Sequence, residues 1–99
     1  MKIVAVTACP TGIAHTYMAA EQLAKVGKKM GHDVKVETQG AMGIENELSA
    51  EDIRSADYAI FACDIEVEQR ERFNGLPLIE VSAQLAIKDP AAIFAKLAE

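Results

Sequence analysis

The chain lacks the features that mark secreted, membrane-spanning and nucleic-acid-binding proteins. No apolar run among its 99 residues approaches the ~20 that a spanning helix needs, and no signal-peptide pattern opens it. The net charge is −5, and no basic stripe with interleaved aromatics is present, which argues against nucleic acid and against adhesion to anionic lipid. We therefore expect a cytoplasmic protein without direct membrane insertion.

The chain also has few metal-ligating and redox residues. Its two cysteines, Cys9 and Cys63, are not part of a Cys-x-x-Cys pair, so neither a redox nor a zinc site is expected. In an intracellular context both are predicted to remain thiols. No carboxylate cluster or histidine pair is placed for a metal, and no cofactor is predicted.

Strands and helices alternate along residues 1–99, which are long enough for one domain and too short for two. With right-handed crossovers this pattern predicts an α/β fold: a four-stranded parallel sheet, order 2-1-3-4, with helices on both faces in a three-layer Rossmann-like sandwich. The segments 38–48 and 64–73 are predicted as a loop and as a loop or helix turn. The predicted strands are Lys2–Thr7, Val34–Glu37, Asp57–Ala62 and Leu78–Val81, and the predicted helices are Ala14–Met30, Ser49–Ser55, Ala83–Lys88 and Pro90 to about Ala98.

One stretch combines a buried strand, a cysteine and the start of a helix. Residues 3–6 are apolar and partly β-branched, Pro10 and Gly12 break the strand, and helix-favouring residues follow from Thr16. Cys9 therefore lies in the turn between strand and helix. Backbone N–H groups and the helix dipole stabilise a thiolate or a phosphate at such a turn. The alternative interpretation is a buried cysteine that acts as a small apolar residue.

Cys9 and Asp64 directly follow the first and third predicted strands. These two strands are neighbours at the point where the predicted strand order reverses. Ligands of open α/β sheets bind outside the carboxyl ends of strands at such a point. The pattern therefore predicts a site around these two residues.

The loop after the first strand carries no fixed positive charge. No Lys or Arg occurs between residues 3 and 24, so the nucleotide loop that ends in Gly-Lys-Ser/Thr is not expected. The loop is similar to the Cys-x5-Arg-Ser/Thr phosphate loop of Cys-dependent tyrosine phosphatases, but His15 stands at the Arg position and Thr16 at the hydroxyl position. A histidine cannot bind phosphate bidentately. This favours a loop that holds a phosphoryl group delivered by another protein over a hydrolase.

The run from Cys9 to Ala19 resembles the phosphocysteine loop of the fructose-type enzyme IIB domains of the bacterial phosphoenolpyruvate-dependent sugar phosphotransferase system (PTS), and the similarity continues at residues 36–40, 62–65 and 72–73. The resemblance implies that Cys9 accepts a phosphoryl group from a phosphohistidine of the IIA component. Cys9 then passes it to fructose, or a related sugar, bound by the membrane permease IIC. It also implies a phosphate-binding loop of Pro10, Thr11, Gly12, Ile13, Ala14, His15 and Thr16, with a rim of Gln39, Gly40 and Asp64.

The roles of several side chains near the predicted site have two possible interpretations each. Thr16 either binds phosphate or caps the first helix, and His15 either donates to phosphate or is an exposed loop residue. Asp64 either repels phosphate or anchors its loop by hydrogen bonds. Cys63 is predicted to fill the core at the end of its strand.

The segment after the third strand contains two guanidinium groups, Arg70 and Arg72. They either meet an acidic partner or a phosphate, or pair with Glu66, Glu68 or Glu71. For the whole chain, two alternatives stand beside the phosphocarrier: a low-molecular-weight-phosphatase-like hydrolase, and a non-catalytic regulatory module of the same fold.

Overall fold

The computed structural model describes residues 1–9, 13–40 and 43–97. Within these ranges the strands are β1 (Lys2–Ala8), β2 (Asp33–Gly40), β3 (Gly43–Glu45), β4 (Tyr58–Cys63) and β5 (Leu78–Val81). The helices are α1 (Ile13–Lys29), α2 (Ala50–Arg54), α3 (Ala83–Lys88) and α4 (Pro90–Leu97), and a short 3-10 helix spans Arg70–Phe73.

The strands form one mixed sheet in the order β3-β2-β1-β4-β5. The four predicted strands are parallel and lie in the predicted order, β2-β1-β4-β5. The prediction of four strands and a purely parallel sheet is wrong, because β3 pairs antiparallel with β2 at the sheet edge. Thr38 and Gln39, predicted as loop, continue β2 because their backbones pair with Thr7 and Ala8 of β1.

Helices cover both faces of the sheet, as predicted. On one face, α1, α3 and α4 pack against Ile3, Ala5 and Ile60. On the other face, α2 and the 3-10 helix pack against Val4, Val6 and neighbouring residues. Alternate residues of the central strand β1 thus belong to two separate cores, which is why its sequence is apolar throughout.

Glycine ends α1 and serine begins α2, each within one residue of the predicted helix bound. Gly31 adopts a left-handed conformation (φ 87°) after α1. Its N–H donates to Lys28 O and that of His32 donates to Gly27 O, which satisfies the last carbonyls of the helix. At the start of α2, Ser49 and Asp52 form a capping box.

Candidate functional site

Cys9 and Asp64 lie side by side at the carboxyl ends of adjacent strands, as predicted. Cys9 follows β1 and Asp64 follows β4, and these strands pair in parallel up to Ala8 and Cys63. The Asp64 N–H donates to Ala8 O at 2.9 Å, which continues the pairing by one residue. The two strands that flank β1 are β2 and β4, so Cys9 lies where the strand order reverses.

A cleft of about 450 Å³ opens beside Cys9. Its walls come from α1 and α3, with Asp64 between them. Cys9 is largely buried (8% exposed) and packs against the core beneath α1 and α3. The described residues that line the cleft are Cys9, His15, Met18, Asp64, Ala83, Gln84, Ile87 and Lys88.

The N-terminus of α1 begins four residues after Cys9. The first N–H groups of a helix have no intrahelical acceptor and carry the positive end of the dipole. Because α1 has no acidic residue in its first turn, no carboxylate there offsets this positive potential. Of the predicted loop, Ala14 and His15 are exposed in that turn, whereas Pro10, Thr11, Gly12 and the side chain of Ile13 lie outside what the structure describes.

Thr16 is buried, and its backbone is hydrogen-bonded to the end of β1. The hydroxyl of Thr7 donates to Thr16 O at 3.1 Å. Thr16 is the fourth residue of α1, so the interpretation that it caps the helix is wrong. Its own hydroxyl oxygen is buried and has no hydrogen-bond partner among the described residues. A buried hydroxyl without a partner is energetically costly and calls for an explanation.

Asp64 anchors the two sides of the cleft to each other. One of its carboxylate oxygens accepts from the N–H of Ala83, the first residue of α3, at 3.2 Å. This contact agrees with the anchoring interpretation of Asp64.

Gln39 lies on the other face of the sheet from Cys9. It is level with Ala8 and buried, and its amide makes two hydrogen bonds to the backbone of Glu68: Nε2 donates to Glu68 O at 3.1 Å, and Oε1 accepts from Glu68 N at 2.8 Å. Neither Gln39 nor Gly40 is among the described residues that line the cleft. Their predicted place at its rim is therefore not supported.

The second cysteine is partly buried at the edge of the core, close to its predicted role as a core residue. Cys63 packs against the core under α2, and its thiol donates to Val6 O at 3.3 Å. Burial raises the pKa of Cys63 to about 12. At neutral pH it is therefore a neutral thiol, unsuited to act as a nucleophile.

The guanidinium groups of the segment after β4 pair with carboxylates from other parts of the chain. Arg70 pairs with Glu80 on β5, and Arg72 pairs with the buried Glu37 on β2. The interpretation that they pair locally with Glu66, Glu68 or Glu71 is wrong, because both arginines reach carboxylates on strands of the sheet.

Among the cleft residues that the sequence did not indicate, Gln84 and Lys88 of α3 have polar side chains. They are four residues apart and so share one face of the helix. That face meets Cys9 only because β5 lies beside β4 and α3 returns to the same side of the sheet as α1. The four-residue spacing indicates that the two side chains share a helix face, but the sequence does not indicate which residues lie opposite that face.

A larger groove of about 590 Å³ lies on the opposite face and includes Leu48, Ile53 and Arg72 in its lining. No cysteine or histidine is among its described lining residues. The Arg72 guanidinium in this groove is already paired with Glu37. The smaller cleft beside Cys9 is therefore the candidate site.

None of the helices in the described part of the chain has the length and hydropathy that a membrane-spanning helix needs. No group of three or more His, Cys, Asp or Glu side chains there is arranged to hold a metal ion.

The protein is an α/β domain with a thiol at the point where the strand order reverses, and the N-terminus of a helix lies beside that thiol. Residues 4–96 match the family model described as "PTS system, Lactose/Cellobiose specific IIB subunit". The chain therefore belongs to the IIB family of the phosphotransferase system, and the relatives that it matches include fructose-like EIIB components. Membership implies a part in phosphoryl transfer during sugar uptake.

The similarity to individual proteins is close. The chain is 53% identical over 96 residues to the fructose-like EIIB component 2 of Escherichia coli K12, covering 97% of this chain and 91% of that protein. It is 52% identical over 91 residues to the 2-O-alpha-mannosyl-D-glycerate-specific EIIABC component of the same strain, covering 92% of this chain but 14% of that protein. A domain of the fructose-specific IIABC component from Borrelia burgdorferi superposes with a TM-score of 0.91 at 45% identity, covering 96% of this chain and 90% of that domain.

Proposed function

We propose that Cys9 is the phosphoryl carrier of this domain. Its thiolate takes a phosphoryl group from a phosphohistidine on a IIA component and passes it to a sugar bound by the membrane permease IIC. The observation that carries the proposal is the position of Cys9, at the end of the central strand and at the N-terminus of α1, within an open cleft.

The surroundings of Cys9 suit an attached phosphoryl group. Backbone N–H groups of the first turn of α1 supply hydrogen-bond donors and a positive potential. The unpartnered hydroxyl of Thr16 gains an acceptor if it donates to a phosphoryl oxygen. In this proposal residues 10–16 form the cradle, and His15 lies at its open side.

The partners follow from the way related proteins are built. IIB-like domains are joined to IIA and IIC segments within one chain in the mannosylglycerate-specific EIIABC relative. We propose that this domain meets the same two kinds of partner at the Cys9 cleft, on the cytoplasmic side of the membrane. The sugar is fructose or a related compound, and selectivity lies in IIC.

Reconstitution tests the proposal. A phosphorylated IIA component and membranes that contain IIC should produce sugar phosphate with the wild-type chain and none with Cys9→Ser. The Cys63→Ala variant is the matched thiol control and should retain transfer. Undiminished transfer by Cys9→Ser would contradict the proposal.

The phosphatase alternative predicts a different activity. A hydrolase of this loop type uses an arginine where this chain has His15, so free phosphoesters should be bound weakly. We expect negligible turnover of aryl phosphates. Hydrolysis at about 1 s⁻¹ or faster would favour the phosphatase instead.

A further inference from the structure

We propose that Lys88 is the cation that pairs with the phosphoryl group on Cys9. This inference rests on the proposed function and adds a residue that the loop sequence does not contain. Lys88 ends α3 and lines the cleft together with Cys9 and Asp64.

The charge balance of the cleft creates the need for a cation. A phosphoryl group brings about 1.5 to 2 negative charges, and the Asp64 carboxylate lies in the same cleft. The N-terminus of α1 offsets about half a charge. No Lys or Arg between residues 3 and 24 adds to this, so the β1–α1 side leaves a phosphoryl group undercompensated.

Lys88 is placed and available to supply the missing charge. It is the only Lys or Arg among the described residues that line the cleft. Its ammonium group is exposed and makes no ion pair with any described residue, whereas Lys35, Arg70 and Arg72 are paired with carboxylates. Asp64 does not compete for it through the oxygen that already accepts from Ala83.

A lysine suits a carrier better than an arginine clamp does. Its ammonium is a compact charge on a flexible stem, so it can follow the phosphoryl group without fixing two oxygens in a rigid plane. The weaker hold leaves the transfer close to balance in both directions, which a reversible carrier requires.

Lys88 acts by charge in both transfer steps and keeps its proton. In the first, the Cys9 thiolate attacks phosphorus, an S–P bond forms, the P–N bond breaks, and its electron pair stays on the donor imidazole. In the second, a sugar hydroxyl attacks phosphorus, a base in the acceptor site takes the hydroxyl proton, and the S–P bond breaks to regenerate the thiolate. Lys88 pairs with the phosphoryl oxygens throughout.

The first test compares Lys88→Gln with Lys96→Gln, an exposed lysine in the last turn of α4 whose loss changes the net charge equally. The rate of phosphoryl transfer from a phosphohistidine donor to Cys9 should fall about fivefold to tenfold in Lys88→Gln, as for one exposed charge at contact distance. It should be retained in Lys88→Arg and Lys96→Gln. Equal rates in the two Gln variants would overturn the inference while leaving the carrier function intact.

The second test needs no phosphoryl donor. Cys9 is alkylated with iodoacetate, an anion, and with iodoacetamide, its neutral analogue, and the modified Cys9 peptide is quantified by mass spectrometry. A cation facing the thiol should raise the iodoacetate-to-iodoacetamide rate ratio, so the ratio should fall about fivefold in Lys88→Gln and stay constant in Lys96→Gln. A Lys88-dependent ratio in a protein that never acquires phosphate on Cys9 would refute the proposed function but support the placement of Lys88. A ratio that Lys88→Gln does not change would refute that placement.

Discussion

Arg72 binds Glu37 through two hydrogen bonds in the protein interior. Its Nη1 donates to Oε1 at 3.0 Å and its Nη2 donates to Oε2 at 2.8 Å. Glu37 is fully buried, and Gln39 Nε2 and Leu48 N also donate to its carboxylate. Burial alone raises the pKa of Glu37, but these hydrogen bonds and the Arg72 charge outweigh it and leave the pKa below its ordinary value. The carboxylate thus fastens β2 to the 3-10 helix and to the loop before α2.

Neutralising this carboxylate should destabilise the fold. Glu37→Gln leaves the Arg72 charge without its counter-ion in a largely buried position, and we expect a loss of about 3 kcal/mol in the free energy of unfolding. Urea denaturation measures it. Glu80→Gln, which removes the exposed partner of Arg70, should hardly move the urea midpoint. Equal shifts in the two variants would show that the buried pair has no special weight.

The two thiols should react at very different rates. Because burial raises the pKa of Cys63 to about 12, only about one molecule in ten thousand carries that thiolate at pH 8. We expect iodoacetamide to label Cys9 far faster than Cys63, as peptide mass spectrometry can measure. Cys63→Ala should take up label at the wild-type rate. Equal labelling of both cysteines would contradict the distinction between an active and a structural thiol.

Gly27 marks a close approach between α1 and its neighbours. A Cβ atom there would lie 2.3 Å from Val34 Cγ2 and 2.9 Å from Phe94 Cζ. Alanine ordinarily favours a helix over glycine, but Gly27→Ala should instead destabilise by about 1 to 3 kcal/mol because the packed core must shift. Thermal unfolding checks the sign. A higher melting temperature than wild type would mean that this contact is easily relieved.

Asp52 should make the protein sensitive to acid. A hydrogen bond from Lys35, together with bonds from the Ser49 backbone and hydroxyl, lowers the pKa of Asp52 from 3.8 to about 2. Because the folded-state pKa is depressed, this stabilisation is complete above about pH 4 and is lost as the pH falls through about 2. Melting temperatures over that interval should fall more steeply for the wild type than for Asp52→Asn, which does not titrate. Parallel curves would contradict the assignment.

The parallel core of the fold could be predicted because its signals are local. The apolar run in β4, the Ser49–Asp52 capping box and the Gly31 cap each act within a few residues, and the strand and helices that they mark lie within one residue of their predicted bounds. The strand β3 was missed because three residues, Gly43–Glu45, carry no strand pattern of their own. Their pairing depends on the length of β2.

The site was predictable at the strand ends but not on the α3 side. Cys9 and Asp64 follow directly from strands whose order the pattern predicts. Lys88 joins them from a helix that is distant in sequence, through the packing of α3 beside α1. Gln39 lies level with Ala8 near the end of its strand, as a residue at the rim of the cleft should. Side chains alternate between the two faces of a sheet, however, and the Gln39 side chain lies on the face away from Cys9.

Locating the phosphorylated residue tests directly whether Cys9 is the phosphoryl carrier. The wild-type chain is incubated with a phosphohistidine-bearing IIA component, and the modified residue is located by phosphorus NMR and tandem mass spectrometry. We predict one phosphoryl group on the sulfur of Cys9, present in Cys63→Ala and absent in Cys9→Ser. A phosphoryl group on His15 or His32, or one that persists in Cys9→Ser, would contradict it.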